Sequence, residues 1–168
     1  SQLLNYIKLK KGAKVVLHRV QKPESFGVAK INKKNKIISI KEKPKKFLSD
    51  LAITGLYFFD YNVVKYAKKL KPSKRGEVEI VDLLNFYRIK NQLSAEIIGR
   101  GGAWLDTGSI EDFYKTSAFV SAIENRQGLK VACLEEIAFN YKWIGKKEIS
   151  NAINFYGKCN YSNYLKKL

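Results

Sequence analysis

The run Gly99-Arg100-Gly101-Gly102-Ala103-Trp104-Leu105-Asp106-Thr107-Gly108 concentrates residue types that do ligand chemistry. Its glycines let the backbone turn tightly and approach a ligand with no Cβ in the way. Asp106 is of the type that holds a hard cation, and Trp104 of the type that walls a pocket. A plain connector from a strand to a helix start has the same spacing, so the run alone leaves both readings open. Glu42 and Lys43 are adjacent opposite charges just before Pro44. A carboxylate there accepts hydroxyl protons and an ammonium holds phosphate, although charges at strand ends are common. Arg75 is one of five Arg among 32 cations and precedes Gly76 in a basic loop. It can grip a phosphate in bidentate geometry or stand in solvent. His18, the single histidine, lies in an apolar run without Cys or carboxylate neighbours, and is expected to be a satisfied strand histidine.

Such side chains need elements to hold them. Apolar patterning predicts strands near 14–20, 28–31, 36–42, 52–59 and 93–99. Asn32-Lys33-Lys34-Asn35 reads as the turn of a hairpin. Leu3, Leu4, Ile7 and Leu9 could line a short helix ending at Gly12. Asp60 is expected to cap a helix with Val63, Val64, Ala67 and Leu70 inward. A second helix should follow Glu77, through Leu83, Leu84, Tyr87 and Ile89. A third should start at Ser109, a good N-cap with Asp112 three residues on. The chain after Leu134 should be mainly helical. Gly55, inside the apolar run from Ala52 to Phe59, suggests close approach of a ligand or backbone. Alternating strands and helices define an α/β class, here a mixed sheet with flanking helices. Loops at one end of such a sheet converge, so Glu42, Lys43, Arg75, Trp104 and Asp106 are expected around one cleft.

Composition narrows the function classes. The 168 residues carry 32 Lys+Arg against 15 Asp+Glu, a net charge of +17. That balance suits nucleic acid, an anionic surface or phosphorylated small molecules. Most cations are Lys spread along the chain, which solvates a surface equally well. Aromatics fall in apolar runs such as Leu56 to Phe59 and are expected in the core, which speaks against a nucleic-acid binder. No apolar run approaches ~18 residues, so no membrane helix is expected, and no signal peptide is visible. Cys133 and Cys159 make no metal spacing, so a reduced, cytoplasmic chain is the default. The chain contains no Met and opens on Ser1, as a piece excised from a longer protein would.

Several segments occur together in a telling order: Phe26-Gly27-Val28, Glu42-Lys43-Pro44, Thr54-Gly55-Leu56-Tyr57 and Arg75-Gly76-Glu77-Val78-Glu79-Ile80. After them come Gly99-Arg100-Gly101, Ala103 to Gly108, Glu124 to Val131 and Glu135-Glu136-Ile137-Ala138-Phe139. In this order they resemble the glucose-1-phosphate thymidylyltransferase family of sugar nucleotidylyltransferases, over nearly the whole chain. The likeness is to the C-terminal part only; no Gly-Gly-x-Gly-Thr-Arg loop, which cradles the triphosphate, is present.

The resemblance implies the C-terminal part of a nucleotide-diphospho-sugar transferase-like fold. Residues 1–133 would bind sugar phosphate, and 134–168 would form a helical assembly or regulatory section. It implies transfer of a nucleotidyl group from dTTP to glucose 1-phosphate with release of pyrophosphate, in a homo-oligomer whose subunits are completed by an N-terminal half. By the family pattern Asp106 is a Mg²⁺ ligand and, with Arg75, catalytic. Glu42 would accept sugar hydroxyls and Lys43 and Arg75 would face phosphates. Gly27, Ile53 and Thr54 would contact the sugar, and Trp104 would wall the pocket. Arg100, Glu136 and Ile137 would belong to a regulatory nucleotide site. The chain departs from the pattern at Val81 (often Thr), Lys41 (usually Glu) and Asn140 (often basic). The bare chain is expected to be inactive. The competing readings are a non-catalytic basic module for polyanions and an assembly piece without chemistry. The residues that would read the nucleotide base lie outside this chain.

Overall fold

The computed structural model describes residues 9–73 and 76–168. The helix expected through Leu3, Leu4 and Ile7 falls outside these residues, as does Arg75. The chain divides into two compact units, residues 1–104 and 105–168.

The first unit is a mixed five-stranded sheet: β1 (Ala13–Arg19), β2 (Gly27–Ile31), β3 (Ile37–Glu42), β4 (Leu51–Phe59) and β5 (Leu93–Ile97), in the order β3-β2-β4-β1-β5. Among the described residues, only the β1–β5 pair is parallel. Two helices, α1 (Val63–Ala67) and α2 (Ile80–Ile89), follow Asp60 and Glu77. Val81, Leu84 and Tyr87 stand one turn apart on α2 and are buried with Val15, Leu17, Ala29 and Ile53 of the strands. Each such side chain contributes about 1.5–3 kcal/mol of burial. The β2–β3 turn forms as its chemistry suggests. Asn32 Oδ1 accepts from the Lys34 and Lys36 N–H groups at 2.9 and 3.0 Å, and Asn35 takes φ +55°.

Some local expectations are corrected. Asp60 does not cap α1; Asn62 holds the N-cap position, and Asp60 is buried between elements. It accepts from Gly12 N–H (2.7 Å), Asn62 N–H (2.9 Å), Asn62 Nδ2 (3.2 Å) and Tyr87 O–H (2.9 Å). Helix α1 is only five residues, too short to present four inward positions, and Val64 is exposed while Tyr66 is buried. Ile89, in the last turn of α2, is exposed too. Gly55 is not crowded: nothing lies within 4 Å of where its Cβ would stand. Its φ of +81° belongs to a bulge, where Thr54, Gly55 and Leu56 face the single Val16 of β1. Thr54 Oγ1 staples that bulge by donating to the Val16 carbonyl at 3.0 Å. His18 is not satisfied among the described residues, where its buried Nδ1 has no hydrogen-bond partner. Charge is uneven as well: 23 of the 32 Lys and Arg, but 8 of the 15 acids, fall in residues 1–104.

In the second unit, α3 (Ile110–Gln127) starts where Ser109 Oγ accepts from Asp112 N–H at 3.1 Å. It ends at Gly128, whose φ of +69° is the left-handed conformation that closes helices. Then come α4 (Leu134–Asn140), α5 (Lys146–Tyr156) and α6 (Asn160–Leu165), around a small core of Cys133, Ile149, Tyr164 and Leu165. Both cysteines are free. No helix among the described residues is long and apolar enough to cross a membrane.

Candidate functional site

Strand β3 ends at Glu42 because Pro44 carries no N–H to extend the ladder. Lys43 between them sits at φ +39°, a region that costs a non-glycine residue free energy. Its N–H donates to the Phe26 carbonyl at 3.0 Å, which fixes the backbone at this corner. Glu42 and Lys43 open into a cleft of about 660 Å³ whose other wall is the start of α2, with Glu79, Val81, Asp82 and Asn85. Ser73 also lines it and donates to Glu79 Oε1 at 3.0 Å. The cleft therefore mixes carboxylates, the ammonium groups of Lys41 and Lys43, and an amide with two apolar side chains, Ile40 and Val81. That set suits a polyhydroxylated, negatively charged small molecule.

Gly27 pairs directly with Glu42 across the β2–β3 ladder. A Cβ on Gly27 would stand 2.7 Å from Glu42 Oε2, so glycine here makes the room in which that carboxylate lies. Burial, and then the negative charge of Glu42, raise the Tyr57 phenol above its ordinary pKa. Ile53 is packed in the sheet core, and Thr54 holds the bulge through its hydroxyl. Trp104 meets the ring of Phe26 edge-on at 5.1 Å and that of His18 at 6.2 Å. The Trp104 wall is thus one residue from Gly27 and one backbone hydrogen bond from Lys43. Of the five residues expected around one cleft, the cleft itself gathers Glu42 and Lys43. Trp104 stands behind them on Phe26, Arg75 lies outside the described residues, and Asp106 belongs to the second unit.

Asp106 is exposed, and Gly108 leaves it space: a Cβ there would sit 3.1 Å from Asp106 Oδ2. Arg100 is exposed in the first unit. In the second, Ile137 is exposed and Glu136 accepts from the Tyr164 hydroxyl at 2.7 Å. Its neighbour Glu135 is likewise engaged, by Tyr156 and Tyr161. The Tyr161 bond, opposed by burial and aided by Tyr156, holds the Glu135 carboxyl below its usual pKa. Sequence reasoning missed Glu79, Asp82 and Asn85. Their signal was available as a polar stripe at three-residue spacing on α2, opposite its apolar one.

The Gly27–Glu42 contact yields a prediction. Gly27→Ala is conformationally cheap, because Gly27 lies in ordinary strand backbone, but the new methyl must displace the Glu42 carboxylate. Stability by urea denaturation should fall by less than about 1 kcal/mol, since a flexible side chain yields. Affinity for a hydroxyl-bearing ligand in the cleft should fall about tenfold, by loss of one charge-assisted hydrogen bond. Unchanged affinity by calorimetry would remove the carboxylate from the site.

The fold and this cleft define an α/β unit with an open polar cleft, and comparison with known proteins identifies its class. The chain belongs to the nucleotidyl transferase family, whose model matches residues 2–123. Within it, the chain is 45% identical over 157 residues to a glucose-1-phosphate thymidylyltransferase of Neisseria meningitidis, covering 94% of this chain and 54% of that protein. A Xanthomonas campestris protein of the same name is 44% identical, with 94% and 53% covered. A crystal structure of a candidate glucose-1-phosphate thymidylyltransferase from Bacillus anthracis, in complex with a sucrose, superposes with a TM-score of 0.62 at 42% identity. It covers 70% of this chain and 47% of that one. A UDP-glucose pyrophosphorylase complexed with UDP-glucose shares the fold, with a TM-score of 0.58 at 23% identity over 64% of this chain and 43% of that one. The chain spans about half the length of the curated relatives it matches.

Proposed function

We propose that this chain is the sugar-phosphate-binding half of a glucose-1-phosphate thymidylyltransferase. The observation that carries the reading is the Gly27–Glu42–Lys43 corner: a carboxylate given space by a glycine, beside an ammonium, in one cleft. A phosphate oxygen of glucose 1-phosphate forms a bond to the α-phosphorus of dTTP. The bond from that phosphorus to the bridging oxygen breaks, and pyrophosphate leaves. Glu42 accepts hydrogen bonds from sugar hydroxyls, and Gly27, Ile53 and Thr54 line the sugar along the strand ends. Lys43 and Arg75 hold phosphate charge, and Trp104 closes the pocket as a rigid wall. Positioning and electrostatics supply the catalysis, since the nucleophile is already part of the substrate.

Asp106 fits a Mg²⁺ ion held mainly by phosphate oxygens, because one exposed carboxylate with free space beside it is enough protein for such an ion. Among the described residues no group of three or more metal-binding side chains offers a self-sufficient site. The cation, when bound, offsets charge on the reacting phosphates. The remaining length of the relatives would supply the triphosphate-cradling loop, the base pocket and a second carboxylate. Under this reading residues 1–133 bind sugar phosphate, and residues 134–168 serve assembly into a homo-oligomer and, with Arg100, Glu136 and Ile137, regulation by nucleotide. A cytoplasmic enzyme without membrane or nucleic-acid partners follows from the substrates.

The test is pyrophosphate release with glucose 1-phosphate, Mg²⁺ and each nucleoside triphosphate in turn. Two proteins are compared: the 168-residue chain alone, and the chain joined to the part of the Neisseria meningitidis relative outside the match. Turnover is expected from the joined protein, greatest with dTTP, and none from the bare chain. In the joined protein Glu42→Ala should raise KM for the sugar phosphate about 10–100-fold, the worth of one or two hydrogen bonds to a charged acceptor. Sustained turnover by the bare chain, or a joined protein indifferent to Glu42→Ala, would sink the assignment.

A further inference from the structure

Trp104 reaches its place from irregular backbone. The chain between β5 and α3 forms neither helix nor strand, and residues 99–103 are exposed. A side chain carried on such a loop is placed less exactly than one carried on a strand, unless its neighbours lock it. Two rings do so here. Phe26, the residue before β2, meets the indole edge-on, with 5.1 Å between centroids and 66° between planes. His18, inside β1, lies at 6.2 Å with its ring tilted by 47°. Strand pairing makes this approach possible. His18 stands opposite Ala52 of β4, and Ala52 opposite Val28 of β2. Cross-strand partners share a face of the sheet, so β4 offers only a methyl group between the ring of β1 and those beside β2. The imidazole acts by ring contact, because its buried Nδ1 has no hydrogen-bond partner among the described residues. An unmet buried nitrogen costs stability that a hydrocarbon side chain of similar size does not. Core packing alone would thus be served better by Leu or Phe at this position.

We propose that His18 is a positioning residue, which sets the orientation of Trp104 and through it the fit of the sugar. The inference rests on the reading of Trp104 as the wall of the sugar pocket. Two ring contacts fix the tilt of the indole, whereas one leaves it free to turn about its side-chain bonds. The same row of rings ties β1 to the cleft corner, since the Phe26 carbonyl accepts from Lys43 N–H and Gly27 pairs with Glu42. A ligand that stacks on the indole therefore depends on a strand residue that it does not touch.

Two variants test this, His18→Leu, which fills the space without a ring plane, and His18→Phe, which restores the plane. Trp104 fluorescence is read in the 168-residue chain carrying Trp143→Phe, which leaves Trp104 as its only tryptophan. Affinity for glucose 1-phosphate is read by calorimetry on the joined protein. His18→Leu should keep or raise the urea midpoint, because it removes the unmet nitrogen. Its Trp104 emission should nevertheless move to the red with lower anisotropy, and affinity should fall about tenfold as the wall loosens. His18→Phe should restore emission, anisotropy and affinity. Unchanged emission and anisotropy in His18→Leu would overturn the proposal. So would an affinity loss that tracks a lowered urea midpoint and is not relieved by His18→Phe, which is the mark of a merely structural residue. Trp104→Ala separates this inference from the reading beneath it. If that variant binds the sugar phosphate as the parent does, the wall assignment fails and the proposal with it. If it binds weakly while His18→Leu binds normally, the positioning role alone is lost. Absent pyrophosphate release with the affinities as expected would sink the transferase reading and leave the positioning role standing.

Discussion

Asp106→Ala in the joined protein should lower kcat about a thousandfold while KM for glucose 1-phosphate changes by less than about threefold. The asymmetry follows from where the charge acts. Under the proposed function, a cation held by Asp106 would offset charge on the reacting phosphates. In the same reading, sugar hydroxyls would be bound elsewhere, by Glu42. Several kcal/mol of transition-state stabilisation lost at the phosphates therefore appears in turnover and hardly in sugar affinity. The substitution is structurally mild, because Asp106 is exposed and its carboxylate lies in the space left by Gly108. Thermal unfolding of the variant should match the parent within about 0.5 kcal/mol. Steady-state kinetics over a Mg²⁺ titration, with circular dichroism as control, make the measurement. Full turnover at saturating Mg²⁺ would take Asp106 out of the reaction.

The largest expected effect on stability lies away from the cleft, at Asp60. Its buried carboxylate ties the entry of β1 through Gly12, the end of β4 and the last turn of α2 through Tyr87. Burial alone would raise its pKa. Hydrogen bonds from Gly12, Tyr87 and Asn62 outweigh burial and hold the carboxyl below its ordinary value of 3.8. Asp60→Ala leaves the Gly12 N–H and the Tyr87 hydroxyl without their acceptor inside the protein, and should cost about 3 kcal/mol in urea denaturation. Tyr87→Phe removes one donor and keeps the ring, and should cost about 1 kcal/mol. The pH dependence has a definite sign. A carboxylate with a lowered folded pKa contributes stability that is fully present above its unfolded pKa near 4 and lost as pH falls through the folded value. The parent should therefore lose stability below about pH 4 more steeply than Asp60→Ala. Parallel acid profiles for the two would show that Asp60 does not carry this linkage.

The residues that were legible in advance share a property: their signal is local. The Asn32–Asn35 turn, the Ser109 cap, the strand ends at Pro44 and the apolar face of α2 each depend on neighbours a few positions away. Chain order and residue type decide such features, because backbone dihedrals and side-chain reach act over one turn or one hairpin. The ordered motifs from Phe26 to Phe139 carried the family in the same way, through residue identity at fixed separations. Asp60 misled for the converse reason. An Asp before a helix reads as a cap, but its four donors come from positions as far away as Gly12 and Tyr87, which only packing brings together.

By itself, then, the sequence determined an α/β unit of five strands, the helices after them, and membership of a transferase family; the room that Gly27 leaves beside Glu42 came from the pairing of β2 with β3. Tertiary structure decided the rest. It chose which face of α2 meets the cleft, so that Asp82 and Asn85 join Glu42 and Lys43. It set Gly55 in a bulge rather than against a ligand, left His18 Nδ1 beside Trp104 without a hydrogen-bond partner among the described residues, and placed β4 third in the sheet, between β2 and β1. These are matters of long-range pairing. A strand's composition sets how much surface it must bury, but which strand lies beside it is fixed by the competition among all possible partners in the folded chain.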